Sequence, residues 1–416
     1  MGKSHEFLSE HEFLSRRFFL SLGAASTVLS QIPIATAAMR DPLLDTAVAK
    51  LEEFLTAPNQ FRDVSRGTPL PHSLPVERKS EVGLTPESWQ LEVVSDNDHP
   101  AKLGQQFQKS DKTALDFAGL LKLAESNSVK FPKVMTCLNI GCPLGMGIWE
   151  GVPLRDLFWR TRPRENVRRV FYEGYHNDDP KQLFRSSLPI GRILEDPYDL
   201  PPVILCYKLN GQWLSAERGG PVRLVVPEAY GFKSIKWLTK ITLTNLAHSN
   251  DTYADGNNDI DSPLKTFAAT LLVPKSVKAG DPIPVTGYAQ AGISGLSKVQ
   301  VWLTSANTEK AKDDPYFQLA AWHDAEILPP PENWGGGLPE GRIPAGTIGF
   351  DANLKPRNWP LRLGKVHWAA LLPGVPAGDY LLRCRTIDEK GVGQPLPRPF
   401  RKSGHAAIEE VSLSVT

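Results

Sequence analysis

The chain has 416 residues, 41% of them apolar and 22% charged, with 47 basic side chains against 46 acidic ones. That length predicts two or three domains, and the composition is that of an ordinary soluble globular protein. A net charge of +1 excludes a global field that would gather nucleic acid or an anionic membrane.

Thirty-six prolines and 33 glycines predict a loop-rich β architecture rather than a helical bundle. Leu14-Ser15-Arg16-Arg17-Phe18-Phe19-Leu20 carries a twin-arginine pattern. An apolar run follows to about Ile34, then the small residues Ala35-Thr36-Ala37. Residues 1–37 are expected to be a signal peptide that sends the protein, already folded, to the periplasm. Gly23, several hydroxyl residues and Pro33 within the run argue against a membrane anchor. Export after folding suits a protein that loads a bulky cofactor in the cytoplasm, and it removes any need for disulfides.

Apolar positions at Leu43, Leu44, Val48, Leu51, Phe54 and Leu55 predict a helix within residues 40–60. Phe61 to His72 reads as a loop around Arg66, Gly67 and Thr68, and Trp89 opens a strand. Residues 111–126 read as a helix. The run Lys133-Val-Met-Thr-Cys137 is a strand that ends on a cysteine, followed by a glycine loop to Cys142. Trp149-Glu-Gly-Val-Pro-Leu then reads as a turn that opens a helix. Residue types alone leave Cys137 open between a packed core thiol and a soft-metal ligand. A zinc site fails, because Cys137 and Cys142 have no second pair to complete four ligands. Cys142 reads as packing.

Val170 to Gly174 is a strand running into a polar loop with His176. Pro202 to Leu214 is a hairpin around Asn210-Gly211. Arg218, Arg223, Lys233 and Lys236 then place four cations in nineteen residues, among glycines and apolar strand residues. That composition suits a backbone-and-cation cradle for a phosphate.

The Cys137 run and the Gly220-Pro-Val-Arg223-Leu-Val-Val-Pro227 run, in this order and spacing, resemble the sulfite oxidase family of molybdenum enzymes. The resemblance covers roughly residues 60–400. It implies that Cys137 binds molybdenum and that Arg218, Arg223, Ser234, Ile235 and Lys236 surround the molybdopterin phosphate. It places Arg66, Gly67 and Thr68 where the family wraps the pterin, with Gly-Thr replacing the family's Asn-His. His176 falls at a polar cofactor contact, and Tyr253 at a tyrosine that faces substrate. Arg218 stands where family members more often carry His or Asn.

From Thr266 the chain changes character. Ala268–Pro274, Ile283–Tyr288, 298–304, 365–370, 378–386 and 409–415 read as short strands between Gly and Pro turns, which argues for a β-sandwich. The polar stretch 251–261 marks the boundary. The resemblance implies an α+β catalytic domain over 38–250, then an immunoglobulin-like dimerisation domain over 262–416, and so a homodimer. Pro329 to Gly337 reads as a long packed loop.

The chemistry implied is two-electron oxygen-atom transfer at a molybdenum held by one pterin dithiolene and Cys137. No Cys-x-x-Cys-His haem motif or flavin motif is present in the sequence, so a separate carrier such as a c-type cytochrome is expected to take the electrons. The substrate is expected to be sulfite or a related sulfur compound, a small oxyanion or sulfur-containing molecule. Leu138-Asn139-Ile140-Gly141 carries none of the arginines that sulfite oxidases place after the ligand cysteine. An S-oxide or N-oxide reductase using the same centre is therefore kept as the alternative. A non-catalytic binding module on this scaffold is a further one, and Cys137 with the retained cations argues against it.

Overall fold

The structure is a computed structural model that describes residues 41–416 except 198, 250, 251, 253–257, 262, 309–313, 396, 397, 399 and 405. Residues 1–37, expected to be a signal peptide, and Tyr253 lie outside the described residues.

Helix α1 (Pro42–Val48) is much shorter than the apolar spacing predicts. Asp41 caps it, its Oδ1 accepting from Leu43 N at 2.8 Å. Beyond it the chain runs as a strap, because contacts distant in sequence override the local period. Leu55 N donates to Trp334 O at 2.9 Å and Thr56 N to Met146 O at 2.7 Å. Phe54 packs among Trp334, Trp359 and His367.

Next come α2 (Val76–Glu81), β1 (Gln90–Ser95), β2 (Leu115–Asp116) and α3 (Phe117–Asn127). Asp116 starts α3 by accepting from Gly119 N at 2.7 Å, so this helix begins later than position 111. The chain continues through β3 (Val129–Thr136), β4 (Pro143–Pro153), α4 (Leu154–Arg160), β5 (Arg169–Gly174), β6 (Arg185–Pro189) and α5 (Ile190–Leu194). It goes on to β7 (Ile204–Leu209), β8 (Gln212–Trp213), β9 (Arg223–Val225) and β10 (Leu238–Thr244). Trp149 to Pro153 is strand rather than the expected turn. Gly151 permits this: a Cβ there would come within 2.3 Å of Leu205 O, so glycine lets β4 lie against β7.

Two sheets result. One has the order β2-β1-β10-β5-β6, with β1 and β10 parallel. The other has the order β3-β4-β7-β8, with β9 also on β7. This second sheet carries the Cys137 strand at its edge and Arg223 on β9. The Asn210-Gly211 turn between β7 and β8 has φ of 51° and 77°, the left-handed pair that tight hairpins require.

From Phe267 on, β11 (Phe267–Leu272), β12 (Ser276–Val277), β13 (Ile283–Gln290), β14 (Lys298–Ser305), β15 (His323–Ile327), β16 (Lys365–Leu372), β17 (Gly378–Ile387) and β18 (Glu409–Val415) form one path. Its order is β11-β13-β16-β15-β14-β17-β18-β12. Strand β15 pairs on both sides and joins two halves. Val285 and Trp368 of one half share a core with Val301, Leu382 and Leu413 of the other. The segment between β15 and β16 leaves this assembly: Trp334, Ile343, Phe350, Leu361 and Leu363 are buried in the core of the first two sheets.

Candidate functional site

Cys137 directly follows β3, whose last six residues are buried. The β3–β4 register slips between Met135 and Thr136. A bulge at that point turns the chain out of the sheet. The thiol ends half-buried on the wall of a cavity of about 260 Å³. Gly141, at φ 69°, closes the following loop by donating to Cys137 O at 3.2 Å.

Five cationic side chains share that wall: Arg62, Arg66, Arg218, Arg223 and Lys236. Among the described residues no carboxylate lines it. Arg218 and Arg223 are only 3% and 4% exposed. Arg218 Nη1 donates to Phe61 O at 2.8 Å, and its Nη2 lies 2.7 Å from Glu217 Oε1. Arg223 donates to Arg218 O at 3.0 Å and to Ser234 O at 2.6 Å, and its guanidinium lies over the Trp149 ring at 5.2 Å. Burial, and then neighbouring Arg218, lowers the Arg223 pKa to about 10, so it stays charged at neutral pH. The Nε of each arginine has no hydrogen-bond partner. A buried donor left unpaired costs about 1–3 kcal/mol, and two buried like charges side by side add to that. An anion in the cavity would offset the repulsion between the two charges.

Ser234 and Ile235 act through the backbone. Ser234 O holds Arg223, its Oγ accepts from Val226 N at 3.1 Å, and Ile235 O accepts from Leu224 N at 2.9 Å. Lys236 uses all three ammonium donors: Asp63 Oδ1 at 2.9 Å, Ser65 Oγ at 2.7 Å and Glu217 O at 2.6 Å. Burial and then Arg223 lower its pKa to about 8. It brings charge to the wall while its protons are committed.

His176 is 8% exposed and also lines the cavity. Its Nδ1 is 3.2 Å from Gly174 O. A carbonyl only accepts, so Nδ1 carries the proton and Nε2 is left as an acceptor. Burial holds its pKa below the usual value and keeps it neutral. Arg66 sits over the Phe184 ring at 4.8 Å. Gly67 and Thr68 do not reach this wall. Gly67, at φ 111°, lies against His176 O so closely that a Cβ would come within 2.6 Å. The turn carries Thr68 into a separate cleft with Arg78, Tyr175 and Asp178.

The motifs assign no role to three further features. Arg62 reaches the cavity from the loop that carries Arg66, with Nη1 3.6 Å from Cys142 Sγ. It brings a cation to the loop after Cys137, which has none of its own. Asp63 and Ser65 hold Lys236. Lys133 is fully buried, and its ammonium donates to Pro227 O and Ala229 O, both at 2.8 Å. It ties β3 to the chain just after β9, and burial lowers its pKa to about 7.

The donor set also fits a metal that brings its own ligands. Among the described residues no group of three or more His, Cys, Asp or Glu side chains is placed to hold a bare ion. Cys137 can supply one soft ligand, and a wall of five cations without a carboxylate among the described residues suits a phosphate, which is what a phosphorylated dithiolene cofactor requires.

Comparison with known proteins agrees. The family model described as oxidoreductase molybdopterin binding domain matches residues 79–252. The mitochondrial sulfite oxidase of Drosophila melanogaster is 27% identical over 325 residues, covering 70% of this chain and 51% of that protein. The mitochondrial sulfite oxidase of Rattus norvegicus is 29% identical over 196 residues, covering 46% and 34%. A nitrate reductase [NADPH] of Fusarium oxysporum is 28% identical over 167 residues, 39% of this chain but 18% of that protein. The chain thus spans about half or less of the length of these relatives. The sulfane dehydrogenase SoxCD structure from Paracoccus pantotrophus shares the fold, with a TM-score of 0.56, 14% identity and 94% of each chain covered. By its motifs, its cavity and these relatives, the chain carries an oxidoreductase molybdopterin binding domain over residues 79–252 and is similar to the sulfite oxidases.

Proposed function

We propose that the protein oxidises a small anionic sulfur compound, sulfite or a close relative, and passes the electrons to a separate carrier such as a c-type cytochrome. The observation that carries this reading is a free thiol on a cavity wall with five cations and no carboxylate among the described residues. The molybdenum–pterin group, when bound, supplies oxygen-atom transfer. The chain's own residues do the rest. Cys137 would ligate as the thiolate. Arg218 and Arg223 would face the pterin phosphate with their charge. His176 would accept a hydrogen bond at Nε2. Arg62 and Arg66, at the exposed side of the cavity, would attract the anionic substrate.

The Arg16-Arg17 leader supports export to the periplasm. The two facing halves of β11–β18 support an immunoglobulin-like sandwich through which two copies pair. One observation favours a second reading: Leu138 to Gly141 carries no cation, which suits a neutral S-oxide or N-oxide as oxidant.

The test mixes molybdenum-loaded protein with sulfite and an artificial electron acceptor, beside Cys137→Ser. The proposal expects turnover in the parent and loss by several orders of magnitude in the variant. Equal turnover from Cys137→Ser would remove Cys137 as the ligand. No turnover from a fully loaded parent would overturn sulfite as substrate, and a sulfoxide with a reduced dye then tests the reverse direction.

A further inference from the structure

We propose that Gln290, at the end of β13 in the second domain, is a positioning residue for Cys137. The proposal rests on the reading of Cys137 as the metal ligand, and it concerns what fixes that ligand in place.

The sheet itself holds the end of β3 poorly. Strand β3 is the edge of its sheet, and its last rung places Thr136 opposite Pro143, just past the register slip. Proline has no N–H, so Pro143 cannot donate a ladder hydrogen bond to this rung. The residue before the cysteine therefore takes its anchor from elsewhere. Thr136 Oγ1 donates to Gln290 Oε1 at 2.5 Å, across 154 positions of sequence, and both side chains are fully buried.

The other end of the amide is also fixed. Gln290 Nε2 donates to Lys265 O at 2.7 Å. Lys265 N in turn donates to the Tyr230 hydroxyl at 3.3 Å, next to Gly231 on the cavity wall. The amide thus links the strand end that carries the thiol to the segment around Gly231, which packs against Thr136 and also lines the cavity. Two further contacts secure the free edge of β3: Val134 N donates to Leu363 O and Ile348 N to Lys130 O, each at 2.8 Å. Gln290 is the contact adjacent to Cys137. A threonine hydroxyl on a fixed amide has one favourable direction, so the bond sets where the next residue leaves the strand.

The experiment uses full-length protein in two forms. In the cofactor-free form, with Cys142→Ala so that the other partly exposed thiol is silent, the alkylation rate of Cys137 is measured against pH. In the molybdenum-loaded form, the paramagnetic resonance signal of the one-electron-reduced metal is recorded with kcat and KM. Gln290→Ala and Thr136→Val should each change the alkylation rate by about tenfold, alter the metal signal, and lower kcat with KM unchanged. Thr136→Ser should restore the parent values. The double variant should be no worse than either single one, because both remove one bond. Alkylation and metal signals identical to the parent, with only a lower melting temperature, would overturn the proposal, as would fully additive effects. A parent that carries the predicted thiol coupling but does not oxidise sulfite would sink the functional reading and leave Gln290 standing.

Discussion

Lys236 commits its three ammonium protons to Asp63, Ser65 and Glu217 O. Burial works against the Asp63 charge, but the Ser65 hydroxyl and Lys236 together hold its pKa at about 2, below the usual 3.8. A carboxyl lowered in this way contributes stability that is present above its unfolded pKa and is lost as pH falls towards the folded one. Asp63→Asn should therefore be less stable than the parent at neutral pH. The difference should close between about pH 4 and pH 2, as read by melting temperature against pH. A constant difference across that window would show that the pair does not stabilise through charge. At this scale the sequence was informative where a motif set the residue: Cys137, Arg218, Arg223, Lys236 and His176 meet on one wall. It was silent on Arg62, Asp63 and Ser65, because nothing local distinguishes a loop cation or hydroxyl that faces a cavity from one that faces solvent.

Strand β5 and the start of β10 show how an element holds a site residue. Gly174 pairs with Leu238, and a Cβ on it would come within 2.0 Å of Lys236 O. Backbone cannot yield as a flexible side chain can. Gly174→Ala should push Lys236 away from Asp63, lower the melting temperature and lower molybdenum content per chain after expression with cofactor supply. Parent-like values for both would show that the close approach is not required. The strands were legible from their β-branched runs and turn residues, the Asn210-Gly211 hairpin most clearly. Helix lengths were less so. The helical spacing runs on to Leu55, but Leu55 and Thr56 bond to Trp334 and Met146 instead. Gly151, which suggests a turn by type, sits inside β4 because β7 passes too close for a side chain.

The two large cores are less separate than a boundary near residue 260 implies. The chain between β15 and β16 buries Trp334, Phe350 and Leu363 in the first core, and Asn210 Nδ2 donates to Gly336 O at 2.8 Å. The Pro-Gly loop of unknown role in the sequence is thus part of the scaffold under the site. Composition could not show this, since which core a loop tryptophan joins is a property of the assembled fold.

The central claim is that the cavity holds molybdenum through Cys137. X-ray absorption at the molybdenum edge tests it most directly, by counting sulfur neighbours of the metal in the parent and in Cys137→Ser at equal metal content. The account predicts one sulfur fewer in the variant. The same sulfur count in both would contradict it.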